Sequence, residues 1–301
     1  MKVLVTSPRG FCAGVVRAID IVELALEKFG SPVYVKHQIV HNPNVVKDVE
    51  DQGAITVESV SDIPEGSVVV FSAHGSAPED YNIAKTKNLK IIDATCPLVT
   101  KVHNEAKKYV KENKSIILVG HKGHQEVIGT MGQATMILVD EREDFPIDKI
   151  QDLEDVAVIT QTTLSVNDTS KAINQIKKLA PRAQIRNDIC YATTNRQSAT
   201  ELLAELSDLV LVIGADNSSN CQRLKEVARQ KGVISHLILG PEEINYDWLK
   251  NINVVGITSG ASTPEKMVQK VIEAINPASV EYIGGPSENI QFKLPKEMID
   301  Q

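Results

Sequence analysis

The chain has 301 residues, of which 42% are hydrophobic and 24% are charged, so it can form two or three domains with substantial buried cores. Its net charge of −7 argues against general binding to nucleic acids or to anionic membranes, because both need a basic face. An anionic ligand would need a local pocket of backbone N–H groups, hydroxyls, amides and histidines.

One pattern recurs along the chain: a strand rich in β-branched residues, a small polar turn and then a helical pattern. The six examples are KVLVTSPRGFCAG at 2–14, SVVVFSAHGSAPED at 67–80, SIILVGHKGHQEVIG at 115–129, VAVITQTTLSVND at 156–168, LVLVIGADNSSNCQRL at 209–224 and NVVGITSGASTPE at 253–265. Apolar strands that alternate with amphipathic helices indicate parallel sheets covered on both faces. Such sheets bind ligands at the carboxyl ends of their strands, where these polar turns would lie.

The spacing of these patterns predicts three similar α/β domains, at residues 1–95, 96–189 and 190–279. The tail, residues 280–301, contains a Gly-Gly-Pro turn, and we expect it to pack back on the first domain. The sequence starts directly on a strand pattern, without a signal segment, and has no apolar run long enough to span a bilayer. Four cysteines in 301 residues do not make a disulfide framework, so we expect a protein of the reducing cytoplasm.

Three cysteines stand alone at predicted strand-to-helix junctions: Cys12, Cys96 and Cys190. Pro97, which follows Cys96, suits the first position of a helix. The positive end of a helix dipole lowers the pKa of a thiol, and the thiolate is the form that binds soft metals. The repeated context favours metal binding.

Other interpretations of these cysteines remain open at this point. A single cysteine is often a small buried hydrophobic residue. A structural zinc site would be closed by four ligands and would usually show a local C-x₂₋₄-C pair, which is absent, and a nucleophilic cysteine would need a partner base. An iron–sulfur cluster held by three cysteines would leave one iron open to substrate. Cys221 could complete a closed site, but we rank it as a bystander.

Histidines and one glutamate form a second group of candidates. His74 and His124 follow predicted strands beside glycine, and His41 lies in HQIVHNP. Glu126, at the start of a predicted helix, would ordinarily be a favourable partner of the helix dipole. It could instead donate a proton if it were buried near a reacting group.

Two turns combine small residues with hydroxyls and amides: Asn217-Ser218-Ser219-Asn220 and Ser259-Gly260-Ala261-Ser262. Each follows an apolar strand and precedes a helix, where N–H groups and hydroxyls can bind a phosphate. Ordinary helix capping by Ser and Asn is the alternative. The sequence has neither a G-x-x-x-x-G-K-[ST] nor a G-x-G-x-x-G motif, so nucleotide binding has no motif support.

Taken together in chain order, the motifs resemble one family, the 4-hydroxy-3-methylbut-2-enyl diphosphate reductases of the non-mevalonate isoprenoid pathway. The ten motifs are RGFCAGVVRAI, HNPNVV, SAHG, DATCPLVTKVH, GHxGHxEVxGTMGQ, TQTTLSV, DICYATTNRQ, NSSN, GITSGASTPE and ENIQFKLP. The resemblance runs from the first predicted strand to the tail.

The resemblance implies three α/β domains in a pseudo-threefold trefoil around a central cavity. It implies a [4Fe-4S] cluster on Cys12, Cys96 and Cys190, with Glu126 as the catalytic acid and Thr162 beside it. The residues that it implies for diphosphate binding are His41, His74, His124, Ser218, Ser219, Asn220 and Ser262. Cys221 lies outside this pattern.

The implied reaction is the reductive dehydration of (E)-4-hydroxy-3-methylbut-2-enyl diphosphate to isopentenyl and dimethylallyl diphosphate. The family takes electrons from an external donor such as a ferredoxin or a flavodoxin, and no reductase domain is fused here. The residues alone leave two rivals open. One is a mononuclear metal hydrolase that uses His41, His74, His124 and Glu126, and the other is a non-catalytic phosphate-binding protein with redox-sensing cysteines.

Overall fold

The computed structural model describes residues 1–299, and these residues divide into two compact units. The first unit contains residues 1–15, 41–45 and 190–291, and the second contains residues 16–40, 46–189 and 292 onward. No helix in the described range is both long and apolar enough to cross a membrane.

Strands and helices alternate along the chain as the sequence predicts. The strands are β1 Lys2–Thr6, β2 Val33–Lys36, β3 Ala54–Val57, β4 Val68–Phe71, β5 Lys90–Asp93, β6 Ser115–Val119, β7 Ile137–Val139, β8 Val156–Thr160, β9 Gln184–Ile185, β10 Leu209–Ile213, β11 Ile234–Ile238, β12 Val254–Ser259 and β13 Ser279–Ile283. The helices are α1 Ala13–Phe29, α2 Pro43–Glu50, α3 Pro78–Thr86, α4 Pro97–Lys111, α5 Gln125–Met131, α6 Ile147–Ile150, α7 Val166–Leu179, α8 Tyr191–Glu205, α9 Ser219–Gln230, α10 Glu265–Ile275 and α11 Lys296–Ile299.

The first unit contains a five-stranded parallel sheet in the order β11-β10-β12-β1-β13. Every residue of β10 is buried, and apolar clusters lie on either side of the sheet. Both faces of the sheet are therefore covered, as is typical of parallel sheets. The register pairs Ile213 with Ser259, so β10 and β12 end side by side. The turns that follow β10, β12 and β1 therefore meet at one edge of the sheet, as the sequence predicts.

The second unit contains two four-stranded parallel sheets, in the orders β3-β2-β4-β5 and β7-β6-β8-β9. The ends of β4 and β5 pair Phe71 with Asp93, and the ends of β6 and β8 pair Val119 with Thr160. The polar turns after each pair of strands are therefore neighbours. The expected fold class of three parallel α/β sheets with helices is confirmed.

Strand β1, which the sequence analysis assigns to residues 1–95, pairs in parallel with β12 and β13. Its last four residues are buried, so it needs a neighbouring strand on each side, and chain order does not reveal which strands those are. Residues 280–283 of the predicted tail belong to β13, which lies beside β1, and residues 300 and 301 lie outside the described residues. The domain boundaries stay a prediction.

Candidate active site

Cys12 lies in the segment between β1 and α1, which is tied to the turn after β12. Gly10 adopts a φ of 68°, a conformation that favours glycine, and its N–H donates to the hydroxyl of Ser259 at 2.8 Å. The N–H of Cys12 donates to the carbonyl of Ala261 at 3.1 Å. The thiol of Cys12 is half-buried and precedes the first residue of α1.

Cys190 caps α8, and a chain of hydrogen bonds links it to the segment that carries Cys12. Its Sγ lies 3.4 Å from the N–H of Thr193 and 3.2 Å from the hydroxyl of the same residue. The Nδ2 group of Asn220 donates to that hydroxyl at 3.5 Å, and its Oδ1 accepts from the N–H of Ala261 at 3.0 Å. The carbonyl of Ala261 also accepts from the N–H of Cys12. The side chain of Asn220 therefore connects the segments that carry Cys12 and Cys190, two of the predicted metal ligands.

The predicted diphosphate-binding residues of the first unit also lie together. Ser218 is buried and caps α9 by accepting from the N–H of Cys221 at 3.4 Å, and Ser219 is the first residue of that helix. Ser262 is buried, and its hydroxyl donates to the carbonyl of His41 at 3.0 Å. The ring of His41 lies 3.5 Å from the amide of Asn217.

Cys221 differs from the other three cysteines. Its side chain is fully buried inside α9, and burial raises the pKa of its thiol to about 11. Its sulfur fills the space beside Gly214 and Gly260, where an added Cβ would lie 2.2 and 2.1 Å from Sγ. A thiol in this environment packs like a small apolar side chain, which agrees with the prediction that Cys221 is not a metal ligand.

In the second unit, Cys96 is the residue that precedes the first turn of α4, with Pro97 at the first helical position. Its N–H donates to the carbonyl of Ala73 at 3.0 Å, and the preceding residue, Thr95, donates its N–H to Asp93 at 2.8 Å. The guanidinium of Arg17 is buried beside this loop and donates to the carbonyl of Thr95 at 3.1 Å. Burial lowers the pKa of Arg17, whereas the negative charges of Asp93 and of a Cys96 thiolate raise it. The guanidinium is therefore close enough to Cys96 to compensate the charge of a thiolate there.

His74 and His124 lie near each other in the second unit, with ring centroids 6.1 Å apart in an edge-to-face arrangement. Nδ1 of His124 accepts the N–H of Glu126 at 3.2 Å and so caps α5. A neutral His124 ring then carries its proton on Nε2, from which it can donate to an anion. Gly75 has a φ of 78°, and its carbonyl lies 3.0 Å from where a Cβ on Gly129 would be, so α5 packs closely on the turn that holds His74.

Glu126 is buried in the first turn of α5, and both of its carboxylate oxygens accept from Thr162. The Thr162 N–H donates to Oε1 at 2.6 Å, and the Thr162 hydroxyl donates to Oε2 at 3.0 Å. Strands β6 and β8 create this contact, because Val119 pairs with Thr160 and the two turns start side by side.

Burial raises the pKa of Glu126 to about 7, although both hydrogen bonds from Thr162 favour the charged form and lower the pKa. The charge of Asp188 adds a smaller increase to the pKa of Glu126. Glu126 is therefore a carboxyl group that can hold or release a proton near neutral pH, which suits a general acid.

The match to a family model decides the family: the model described as "LytB protein" covers residues 3–276 of this chain. The chain belongs to the LytB family. It is similar to the 4-hydroxy-3-methylbut-2-enyl diphosphate reductase of Haemophilus influenzae, with 48% identity over 99% of this chain and 98% of that protein. It is also similar to 4-hydroxy-3-methylbut-2-enyl diphosphate reductase 2 of Bradyrhizobium diazoefficiens, with 51% identity over 99% of both chains.

Among solved structures, this LytB-family chain resembles the E-1-hydroxy-2-methyl-but-2-enyl-4-diphosphate reductase from Plasmodium falciparum. The TM-score is 0.92 at 38% sequence identity, and the match covers 99% of this chain and 96% of that chain. The family predicted from the ten motifs is thus confirmed, and the chain is an oxidoreductase of this family.

In this LytB-family chain, Thr193 and Arg196 take structural roles that the sequence analysis missed. Arg196 is fully buried and donates to both carboxylate oxygens of Glu288, at 2.9 and 3.1 Å. It also donates to the carbonyls of Gly10, at 2.8 Å, and Ala192, at 3.1 Å. Both residues lie in the quoted motif DICYATTNRQ, but only the folded chain shows which groups they contact.

Proposed function

We propose that this chain catalyses the reductive dehydration of (E)-4-hydroxy-3-methylbut-2-enyl diphosphate to isopentenyl and dimethylallyl diphosphate. In this reaction the allylic C–O bond breaks, the hydroxyl leaves as water after taking one proton, and a C–H bond forms with a second proton. Two electrons must come from an external donor. The names of the relatives support this substrate, and the arrangement around Glu126 supports the proton chemistry.

The thiols at Cys12, Cys96 and Cys190 fit an iron–sulfur cluster better than they fit structural packing. All three are half-buried, and each precedes a helix of at least fifteen residues, whose dipole favours the thiolate. Cys221, by contrast, is fully buried with a raised thiol pKa. The contrast supports a set of three ligands that does not include Cys221.

We propose that Cys12, Cys96 and Cys190 hold a [4Fe-4S] cluster. Such a cluster, when bound, supplies a Lewis-acidic iron without a protein ligand and a path for electrons. The chain's own contribution is to orient the thiolates and compensate their charge. The hydrogen bond from the N–H of Thr193 to Cys190 and the buried charge of Arg17 near Cys96 both act in that direction.

We propose that the diphosphate is bound by two sets of histidine, hydroxyl and amide donors. Ser218, Ser219, Asn220 and Ser262, with His41, form the set in the first unit, and His74 and His124 form the set in the second. His124 is suited to donate from Nε2, because its Nδ1 accepts the N–H of Glu126. Donors of these kinds explain how a chain with a net charge of −7 can bind a highly charged anion without a cluster of lysines.

Glu126 would supply the proton that the departing hydroxyl needs. In its protonated form, the proton on Oε2 would donate to the Thr162 oxygen, which frees the Thr162 hydroxyl proton to donate to substrate. Thr162 can thus pass a proton outward while Glu126 stays buried. The proposal rests mainly on one observation: Glu126 is a buried carboxyl group with a pKa of about 7, and both of its oxygens are hydrogen-bonded to Thr162.

Thiolates that must stay reduced suit a cytoplasmic enzyme, which is the location that we propose.

The test of the proposed function is anaerobic analysis of iron and sulfide in the wild type and in four Cys→Ser variants, together with product analysis under reducing conditions. We expect Cys12→Ser, Cys96→Ser and Cys190→Ser to lose iron and turnover. Cys221→Ser is the matched control and should keep both. A colourless protein with a single zinc would refute the proposal in favour of a hydrolase, and metal-free protein with full affinity for the diphosphate would favour a binding protein.

A further inference from the structure

A cationic groove, formed by two adjoining cavities beside Cys96, lies on the surface of the second unit. The cavities have volumes of about 520 and 320 Å³, and Thr95, Thr100 and Asn104 line both of them. The cations that line the groove are Arg17, Lys85, Lys101, Lys107 and Lys108, whereas its acidic residues are Asp93 and Glu105. The groove thus has a positive excess on a chain whose total charge is −7.

The two acidic residues of the groove are already engaged by neighbouring groups. Asp93 accepts from the hydroxyl of Tyr81 and from the N–H of Thr95, both at 2.8 Å. Glu105 pairs with Arg186 at 2.8 Å, which adds a further cation at the edge of the groove. The histidine that lines the groove, His103, is buried with its pKa lowered to about 4 by desolvation, so it is neutral at physiological pH. Two of the lysines are also paired, Lys101 with Asp188 at 3.4 Å and Lys108 with Glu112 at 3.9 Å. The positive excess that an approaching partner meets therefore comes mainly from Lys85 and Lys107.

The position of the groove connects it to the proposed cluster. Thr95 and Pro97 line the larger cavity, and these are the two residues bonded to Cys96. A protein seated in the groove would touch peptide groups that join directly to a proposed cluster ligand. Under the proposed function, two electrons must reach that cluster from outside the chain.

We propose that this groove is the docking surface for an acidic protein that delivers one electron at a time, an inference that rests on the proposed function. Such a partner carries negative side chains around its redox centre, and its net charge would be repelled by the rest of this acidic chain. Charge complementarity at one place both orients the partner and raises its association rate. Exposed charges of this kind act strongly only at low ionic strength, because salt screens them beyond a Debye length of about 10 Å at 0.1 M.

The test uses two pairs of adjacent lysines in the second unit, each pair in the C-terminal half of a helix. Lys107→Glu/Lys108→Glu reverses charge in the groove, where the two lysines line one cavity each. Lys177→Glu/Lys178→Glu on α7 is the matched control, because it changes the net charge equally, and neither lysine lines the two cavities. Both variants are studied as anaerobically purified holoenzyme.

Two reductants serve as probes: a reduced plant-type [2Fe-2S] ferredoxin, which is an acidic protein, and reduced methyl viologen, which is a small cation. At low salt we expect the groove variant to lower the second-order rate constant with ferredoxin by roughly tenfold or more, and the control to change it less than about twofold. At about 0.5 M salt the difference should largely disappear. Turnover with methyl viologen should stay within about twofold of wild type in both variants.

Equal effects of the two lysine pairs on the ferredoxin rate, with viologen turnover intact, would overturn the docking proposal and leave the proposed function standing. A wild-type holoenzyme that turns over with neither reductant would overturn the proposed function and, with it, this inference. A groove variant that loses viologen turnover as well would also overturn the docking proposal, since its lysines would then act on the chemistry and not on the partner.

Discussion

Thr162 donates to both oxygens of the Glu126 carboxylate, from its backbone N–H at 2.6 Å and from its hydroxyl at 3.0 Å. These bonds favour the charged carboxylate, but burial opposes them more strongly and raises the pKa of Glu126 to about 7. One residue therefore fixes the orientation of the carboxyl group while the surrounding protein keeps it protonatable.

Glu126→Gln should keep the cluster and the affinity for substrate but lower kcat by about 100-fold or more, since the glutamine amide has no acidic proton to transfer. In the wild type, kcat should fall as pH rises above about 7, because the general acid loses its proton there. Steady-state kinetics between pH 6 and 9 under anaerobic conditions measure both effects.

Glu143→Gln is a suitable control, because Glu143 is an exposed carboxylate paired with Lys122 at 3.2 Å. This substitution should leave kcat and its pH profile unchanged. Near-normal turnover in Glu126→Gln, or a wild-type profile that is flat through pH 7 to 9, would refute the role of Glu126 as the acid.

The raised pKa of Glu126 also predicts a change in stability with pH. A group whose folded pKa lies above its unfolded value stabilises the fold at low pH, and that contribution is lost as pH rises through the folded pKa. Between pH 6 and 8 the wild type should lose about 1 kcal/mol of unfolding free energy relative to Glu126→Gln, which does not titrate. Urea unfolding of both proteins at the two pH values gives the difference, and a difference that is constant with pH would contradict the raised pKa.

Thr162→Val removes the hydroxyl but keeps the backbone N–H, so it separates proton relay from orientation. We expect kcat to fall by about 10- to 100-fold. The pKa of Glu126 should rise further, because a hydrogen bond to its charged form is lost, and the alkaline limb of the pH profile should move upward. Thr162→Ser keeps a hydroxyl at the same position and should recover most of the activity. If Thr162→Val and Thr162→Ser have the same kcat, Thr162 does not relay protons.

Much of the site could be predicted because it depends on local sequence. Helices begin directly after Cys12 and Cys190, and Cys96 precedes Pro97 at the start of α4, as the strand–turn–helix pattern predicts. The polar turns lie at the carboxyl ends of parallel strands, because each strand is followed by its own helix. The sequence is compatible with Glu126 either as an exposed partner of the helix dipole or as a buried acid. Its burial follows from the packing of α5, which only the fold shows.

What could not be predicted depends on sheet order. Strand β1 lies beside β12 and β13, which are more than 240 residues away in sequence, and no local pattern states that pairing. The contacts of Arg196 with Gly10 and Glu288 depend on the same placement, since they join three distant segments. The role of Thr193 as a partner of Cys190 is a local contact, but threonine at a third helical position has no distinctive signature.

His124→Asn should separate helix capping from ligand binding. Asparagine is a favoured N-cap residue, so the unfolding free energy should change by less than about 0.5 kcal/mol, whereas His124→Ala should cost about 1 kcal/mol. Both variants lose the Nε2 donor, so both should raise KM and weaken inhibition by inorganic pyrophosphate by about tenfold. Equal affinity for pyrophosphate in wild type and His124→Asn would show that His124 only caps α5.

The buried pair of Arg196 and Glu288 should matter more for stability than an exposed pair of similar length. Arg196→Met leaves Glu288 largely buried without its cation, and it also removes the donor to Gly10, two residues before Cys12. We expect a loss of about 3 kcal/mol in unfolding free energy and a lower iron content.

Lys231→Met is the control, because Lys231 and Glu205 form a pair of 2.8 Å with side chains that are 36% and 56% exposed. It should cost much less unfolding free energy than Arg196→Met, because an exposed ion pair is screened by solvent, and it should leave iron content unchanged. Combining Arg196→Met with Glu288→Gln should recover part of the loss, since it removes the uncompensated charge. If Arg196→Met costs no more than the control and keeps full iron content, Arg196 does not hold the segment that carries Cys12.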